Sequence, residues 1–127
     1  MSETHGAIFW SELMTRDVEG AKRYYADRLG WRIEAMPMAG DAGDYWVAFR
    51  GDEMVAGLVD MTAMPGMEGL PPHWFTYFAV DDVDAAAEAT AAAGGTVIRP
   101  PFDVPGVGRI AILHDPTGAA MGLMTPS

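Results

Sequence analysis

The chain contains no cysteine. Disulfides, thiolate metal sites and a cysteine nucleophile are therefore excluded together, which is compatible with a reducing cytoplasm. Basic residues are scarce as well: 8 Lys and Arg stand against 18 Asp and Glu, for a net charge of −10. They are spread along the chain and form no phosphate-neutralising cluster, so nucleic acid and anionic membrane surfaces are poor partners. No apolar run reaches the ~20 residues of a membrane-spanning helix. The opening MSETHGA lacks the basic and apolar regions of a signal peptide, and residues 1–6 read as a short disordered lead. A cytoplasmic protein is expected.

What remains is a chain of 127 residues, 50% of them hydrophobic. That length suits one domain, and such a domain buries roughly two-thirds of its unfolded surface. From Ala7 to Thr15 the residues favour an extended chain. Alternation puts Phe9, Ser11, Leu13 and Thr15 on one face and Ile8, Trp10, Glu12 and Met14 on the other. Asp17 is a good N-cap and Glu19 sits favourably in the first helical turn. Ala21, Tyr24 or Tyr25, and Leu29 make an apolar stripe, and Gly30 is a left-handed helix end.

Trp31–Met36 then reads as a strand, followed by a loop in which Gly40 and Gly43 supply the turn. Tyr45–Phe49 and Met54–Met61 read as two strands joined around Gly51 and Asp52. Residues 62–72, rich in Pro, Gly and Met, form the natural linker. The second half repeats the order: a strand over Trp74–Val80, then a helix capped by Asp81 or Asp82 and stopped at Gly94-Gly95. A strand over Thr96–Arg99 leads into a loop, PPFDVPGVG, and the strands Arg109–His114 and Ala119–Met124 turn at Asp115-Pro116-Thr117-Gly118.

One offset of 65 residues joins the halves without a gap: Asp17 with Asp82, Val18 with Val83, Ala21 with Ala86, Gly30 with Gly95, Gly43 with Gly108, and Gly57-Leu58 with Gly122-Leu123. Two βαβββ modules are the expected architecture, module one over about 7–62, a linker at 63–72 and module two over about 73–126.

The helix motif DVEGAKRYYADRLGW, the three following strands and the closing HDPTGAAMGL together resemble the vicinal oxygen chelate superfamily, the glyoxalase, bleomycin-resistance and extradiol dioxygenase group. The resemblance covers residues 7–126 and implies an α+β fold within one glyoxalase-like domain, 1–127. Its two tandem modules would pair into a curved half-barrel sheet holding a small-molecule ligand on its concave side. It also implies a homodimer, in which any exchange of modules would hinge at residues 62–72.

Metal-using members place four His, Gln or Glu ligands on the first and last strands of each module. The matching positions here are Trp10, Phe75, Gly57 and Gly122. An indole offers only a donor, and Phe and Gly offer nothing, so neither a metal nor another cofactor is expected.

The histidines, His5, His73 and His114, share no ligand spacing and read as unrelated edge residues. The glycine-rich stretches near Gly40, Gly94 and Gly106 lack a phosphate-loop context. Glu12 is the sharpest chemical hint. It shares a strand face with Trp10, and partial desolvation there would suit a general base or a ligand anchor. Tyr77 stands at its repeat position. Trp74 and Phe78 are expected beneath helices, with Phe75 and Tyr77 toward the cleft.

The expected binding wall is Trp10, Glu12, Met14, Trp46, Phe75 and Tyr77, with Gly57 and Gly122 leaving room opposite. Methionines near the loops, Met36, Met38, Met61, Met64 and Met67, suit a permissive pocket or a dimer seam. The leading expectation is metal-independent binding of an apolar or aromatic molecule, as in bleomycin-resistance-type proteins. The alternative is a metal-independent isomerase, lyase or hydroxylase-type enzyme with Glu12 as acid/base and Tyr77 as hydrogen-bond donor. A third reading has the cleft filled by the chain's own side chains.

Overall fold

A computed structural model describes residues 3–37, 44–62, 68–104 and 107–126. The expectations for Met38, Gly40, Gly43, Met64, Met67 and Gly106, and for linker residues 63–67, lie outside the described residues. The elements run β1 (Ile8–Thr15), α1 (Val18–Leu29), β2 (Arg32–Pro37), β3 (Asp44–Arg50), β4 (Glu53–Asp60), β5 (His73–Ala79), α2 (Val83–Ala92), β6 (Thr96–Val104), β7 (Gly108–His114) and β8 (Ala120–Pro126). This is the expected βαβββ order, twice. The chain divides into two compact units, Trp10–Trp74 and Met1–Phe9 with Phe75–Ser127.

Within Trp10–Trp74 the strand order is β2-β3-β4-β1, with β1 and β4 parallel. Asp17 caps α1 by accepting from the Gly20 amide at 2.9 Å, and Gly30 ends it in the left-handed region at φ 70°. The helix covers a core of Leu13, Ala48, Ala56 and Leu58, to which Ala21, Tyr25, Trp31, Ile33 and Trp46 add. Trp74 packs on this module too. Its ring meets Tyr25 edge-on at 5.5 Å and its Nε1–H donates to Tyr25 Oη at 3.1 Å, though it stays 40% exposed.

The other unit orders its strands β5-β8-β7-β6, again with its first and last strands parallel. Asp82, rather than Asp81, caps α2, accepting from the Ala85 amide at 3.1 Å. The helix packs on Ala111, Leu113 and Leu123 through Val83 and Ala87, with Phe78 alongside as expected. The turn at Asp115 forms: its carboxylate accepts from the Thr117 amide and hydroxyl and from the Ala119 amide, and Gly118 takes φ 96°.

Two expectations are corrected. β6 continues through Pro100-Pro101 to Val104 instead of ending at Arg99. Its register against β7 shifts between Arg99 and Phe102, so the prolines sit at an irregularity where no ladder donor is required. Residues 3–6 of the lead are not loose either, while residues 1–2 lie outside the described residues. Gly6 donates to the Ala79 carbonyl at 2.7 Å, Ala79 donates to the Ala7 carbonyl at 2.9 Å, and the His5 ring accepts from the Asp81 amide.

Surface electrostatics give the fold an acid limit. Hydrogen bonds from Thr62 hold Asp60 below the ordinary 3.8, those from Arg109 do the same for Asp84, and those from Thr117 for Asp115. Depressed carboxylate pKa values stabilise the folded state above the unfolded value, and that stability is lost as pH falls through the folded ones. Urea midpoints should therefore stay level from neutrality toward pH 5 and drop progressively below about pH 4, with a smaller drop in Asp115→Asn. Separately, Asp17→Ala should cost about 1 kcal/mol in the same titration at neutral pH.

Candidate functional site

The chemistry-bearing side chains of module one meet over Gly57. Parallel pairing sets Glu12 of β1 opposite Gly57 of β4, and Gly57 also pairs with Val47 of β3. Tyr45 lies two residues before Val47 and so shares its face. Because Gly57 has no side chain, the Tyr45 ring lies across it. A Cβ built at Gly57 would overlap the Tyr45 hydroxyl and ring and come within 3.0 Å of Trp10 Nε1.

Seated there, the Tyr45 hydroxyl donates to Glu12 Oε2 at 2.7 Å and accepts from Trp10 Nε1–H at 2.9 Å. Glu12 is only 8% exposed. A carboxylate so far from water has to be hydrogen-bonded, and a bond to a charged acceptor contributes about 1.5–3 kcal/mol. The result is an ordered chain, indole to phenol to carboxylate.

Module two keeps the frame and loses the polarity. Tyr77 pairs with Gly122 as Glu12 does with Gly57. A Cβ at Gly122 would overlap the Tyr77 ring, which is buried and meets buried Phe75 edge-on at 5.2 Å. At the offset of 65, Phe75 replaces Trp10, Tyr77 replaces Glu12 and Ile110 replaces Tyr45. The carboxylate chain belongs to module one alone.

The expected binding wall is thus redistributed. Trp10 and Glu12 come together. Met14 is 0% exposed and offers no surface to a ligand. Trp46 lies on the opposite, helix-covered side of its strand, packed in the Leu13 and Leu58 core with the Lys22 ammonium 5.8 Å from its ring centroid. Alternation with Tyr45 is the reason. Gly57 and Gly122 do not leave open room: Tyr45 and Tyr77 occupy it.

Tyr45 is the member of this hydrogen-bonded chain that reading the sequence did not single out. The available signal was a glycine inside a strand, which marks a close approach. A depression lined by Thr4, Phe9, Val80, Asp81, Thr125 and Pro126 lies within the other unit and shares no residue with this chain.

The donor set does not fit a metal at the family's ligand positions, since Trp10, Gly57, Phe75 and Gly122 have no coordinating atom. Among the described residues, no group of three or more His, Cys, Asp or Glu is placed to hold one elsewhere. His5 accepts from the Asp81 amide, and His73 Nδ1 lies 2.8 Å from the Pro71 carbonyl. No helix among the described residues is long and apolar enough to cross a membrane.

A family model of the Glyoxalase/Bleomycin resistance protein/Dioxygenase superfamily matches residues 7–122, and the chain belongs to that superfamily. CFP32 of Mycobacterium tuberculosis, which carries a provisional name as a glyoxylase, is 44% identical over 119 residues, 93% of this chain and 45% of that protein. The anthracycline biosynthesis protein DnrV of Streptomyces peucetius is 35% identical over 128 residues, 93% of this chain and 46% of its own length. The chain spans about half the length of the curated relatives it matches. The crystal structure of methylmalonyl-CoA epimerase from Mycobacterium tuberculosis superposes with a TM-score of 0.67 at 15% identity, covering 100% of this chain and 93% of that one. At that identity the likeness concerns the fold alone, the α+β glyoxalase-like fold of two βαβββ modules.

The glycine seat is testable. Gly57→Ala should destabilise the protein by about 1–3 kcal/mol in chemical denaturation, the range for overpacking. Adding Tyr45→Ala to Gly57→Ala should recover part of that loss, because the overlapping ring is gone. Additive losses from the two substitutions would show that Tyr45 does not occupy the seat.

Proposed function

We propose that this protein binds a flat, apolar or aromatic small molecule without a metal, and that the Trp10–Tyr45–Glu12 chain supplies the polar anchor of the site. The observation that carries the reading is the buried Glu12 carboxylate, fixed by Tyr45 Oη at 2.7 Å while Trp10 fixes Tyr45 in turn. A binding protein needs affinity and orientation, and a rigid polar group beside aromatic surface provides both. Trp10 stands where metal-using relatives keep a ligand, which replaces coordination by aromatic surface. The relative named for anthracycline biosynthesis supports the choice of ligand class, since anthracyclines are fused-ring aromatics. We carry forward a homodimer from the family resemblance and a cytoplasmic location from the composition of the chain.

Intrinsic tryptophan fluorescence, titrated with a panel of planar polycyclic aromatics before and after dialysis against a chelator, tests this reading. Saturable quenching that survives the chelator is expected. Quenching lost with the chelator and restored by a divalent ion would refute metal independence, and no quenching across the panel would refute the binding role.

A second reading, a metal-independent enzyme using Glu12 as acid/base, is favoured by the same 2.7 Å contact, which places a phenolic proton beside the carboxylate. In that case Glu12→Gln abolishes turnover and leaves binding within about threefold, whereas in the binding reading it weakens affinity by roughly tenfold or more.

A further inference from the structure

The Trp10–Tyr45–Glu12 chain can be polarised in only one direction. An indole Nε1–H donates and cannot accept, so Tyr45 Oη accepts from Trp10 at 2.9 Å. A carboxylate accepts and has no proton to give, so at 2.7 Å the single phenolic proton points to Glu12. Both dipoles turn their positive ends toward the same carboxylate. They hold negative charge in place at a position 8% exposed, where electrostatic interactions are screened less than at the surface.

The rest of the chain reinforces this sign. Net charge is −10. Four of the eight basic side chains are committed to ion pairs: Lys22 with Glu19, Arg32 with Glu34, Arg50 with Glu53, and Arg109 with Asp84 and Asp103. Arg16 donates to the Leu70 carbonyl, and Arg99 lies over the Phe102 ring. A field of one sign raises the encounter rate of the opposite charge and lowers that of its own.

Resting on the binding function proposed above, we propose that the ligand is a planar aromatic cation, an aromatic amine protonated at neutral pH, and that Glu12 is the residue that selects it over neutral and anionic molecules of the same shape. Tyr45 is the positioning residue: it holds the Glu12 carboxylate in one orientation and touches the ligand's charge only through it.

Equilibrium dialysis with three tricyclic probes of one size separates the possibilities: cationic 9-aminoacridine, neutral acridone and anionic acridine-9-carboxylate. The cation should bind about tenfold or more tightly than acridone, the range of a charge-assisted hydrogen bond, with the carboxylate weakest. Glu12→Gln should bring the cation and acridone within about threefold of each other, and Tyr45→Phe should narrow the gap between them. Should Glu12→Gln lose its fold by circular dichroism, the order of the three probes on the parent protein and on Tyr45→Phe decides the matter.

Acridone or the carboxylate binding as tightly as the cation, or a preference unchanged in folded Glu12→Gln, overturns the charge selection and leaves the binding function standing. Failure of all three probes to bind overturns both.

Discussion

Everything distinctive in this molecule follows from a carboxylate removed from water inside a β-sheet. Glu12 is tolerated there because Tyr45 donates to it, Tyr45 reaches it because its ring lies over Gly57, and Trp10 fixes the phenol from the other side. Each element has a cause in the one before. Without the glycine the ring has nowhere to lie, and without the phenol the carboxylate loses a bond that its burial demands. Parallel pairing of β1 with β4 makes the arrangement possible, since it sets Glu12 opposite Gly57.

The duplicated frame supplies an internal control. Tyr77 over Gly122 repeats the glycine seat with the same pairing and no acid, and Ile110 stands where a phenol would be needed. The seat is therefore a property of the βαβββ frame, whereas the polar chain is a property of module one. Three of the positions at which the modules differ, Trp10 against Phe75, Glu12 against Tyr77 and Tyr45 against Ile110, separate a hydrogen-bonded polar chain from a packed aromatic pair. Superfamily members that use a metal place coordinating side chains at the positions held here by Trp10, Phe75, Gly57 and Gly122. This chain puts an indole, a phenyl ring and two glycines there, and two of those four serve as seats for tyrosines.

Much of the frame was legible in the sequence because its determinants are local. Asp17 and Asp82 cap helices through their own next turn, Gly30 ends one by taking a positive φ, and Asp115 builds its turn from its immediate neighbours. The offset of 65 matched Gly57 with Gly122, and the strand register gives the two glycines equivalent places, opposite Glu12 and Tyr77. The failures were non-local. Whether Tyr45 or Trp46 shares a face with Glu12 depends on the register between β3 and β4, which no pattern within Asp44–Arg50 specifies. A glycine announces a close approach without naming what approaches, so Gly57 and Gly122 read as open space. The continuation of β6 through Pro100-Pro101 depends on those prolines lying at a register irregularity, which is likewise a tertiary fact.

The indole N–H resonance of Trp10 reports on this arrangement directly, because it sits at the head of the hydrogen-bonded chain. In a two-dimensional nitrogen–proton spectrum, with assignment by Trp10→Phe, that resonance should be slow to exchange with solvent. It should move on Tyr45→Phe and move again when 9-aminoacridine is added. An indole proton that exchanges at the rate of free tryptophan, and is indifferent to both changes, would contradict the chain and the site built on it.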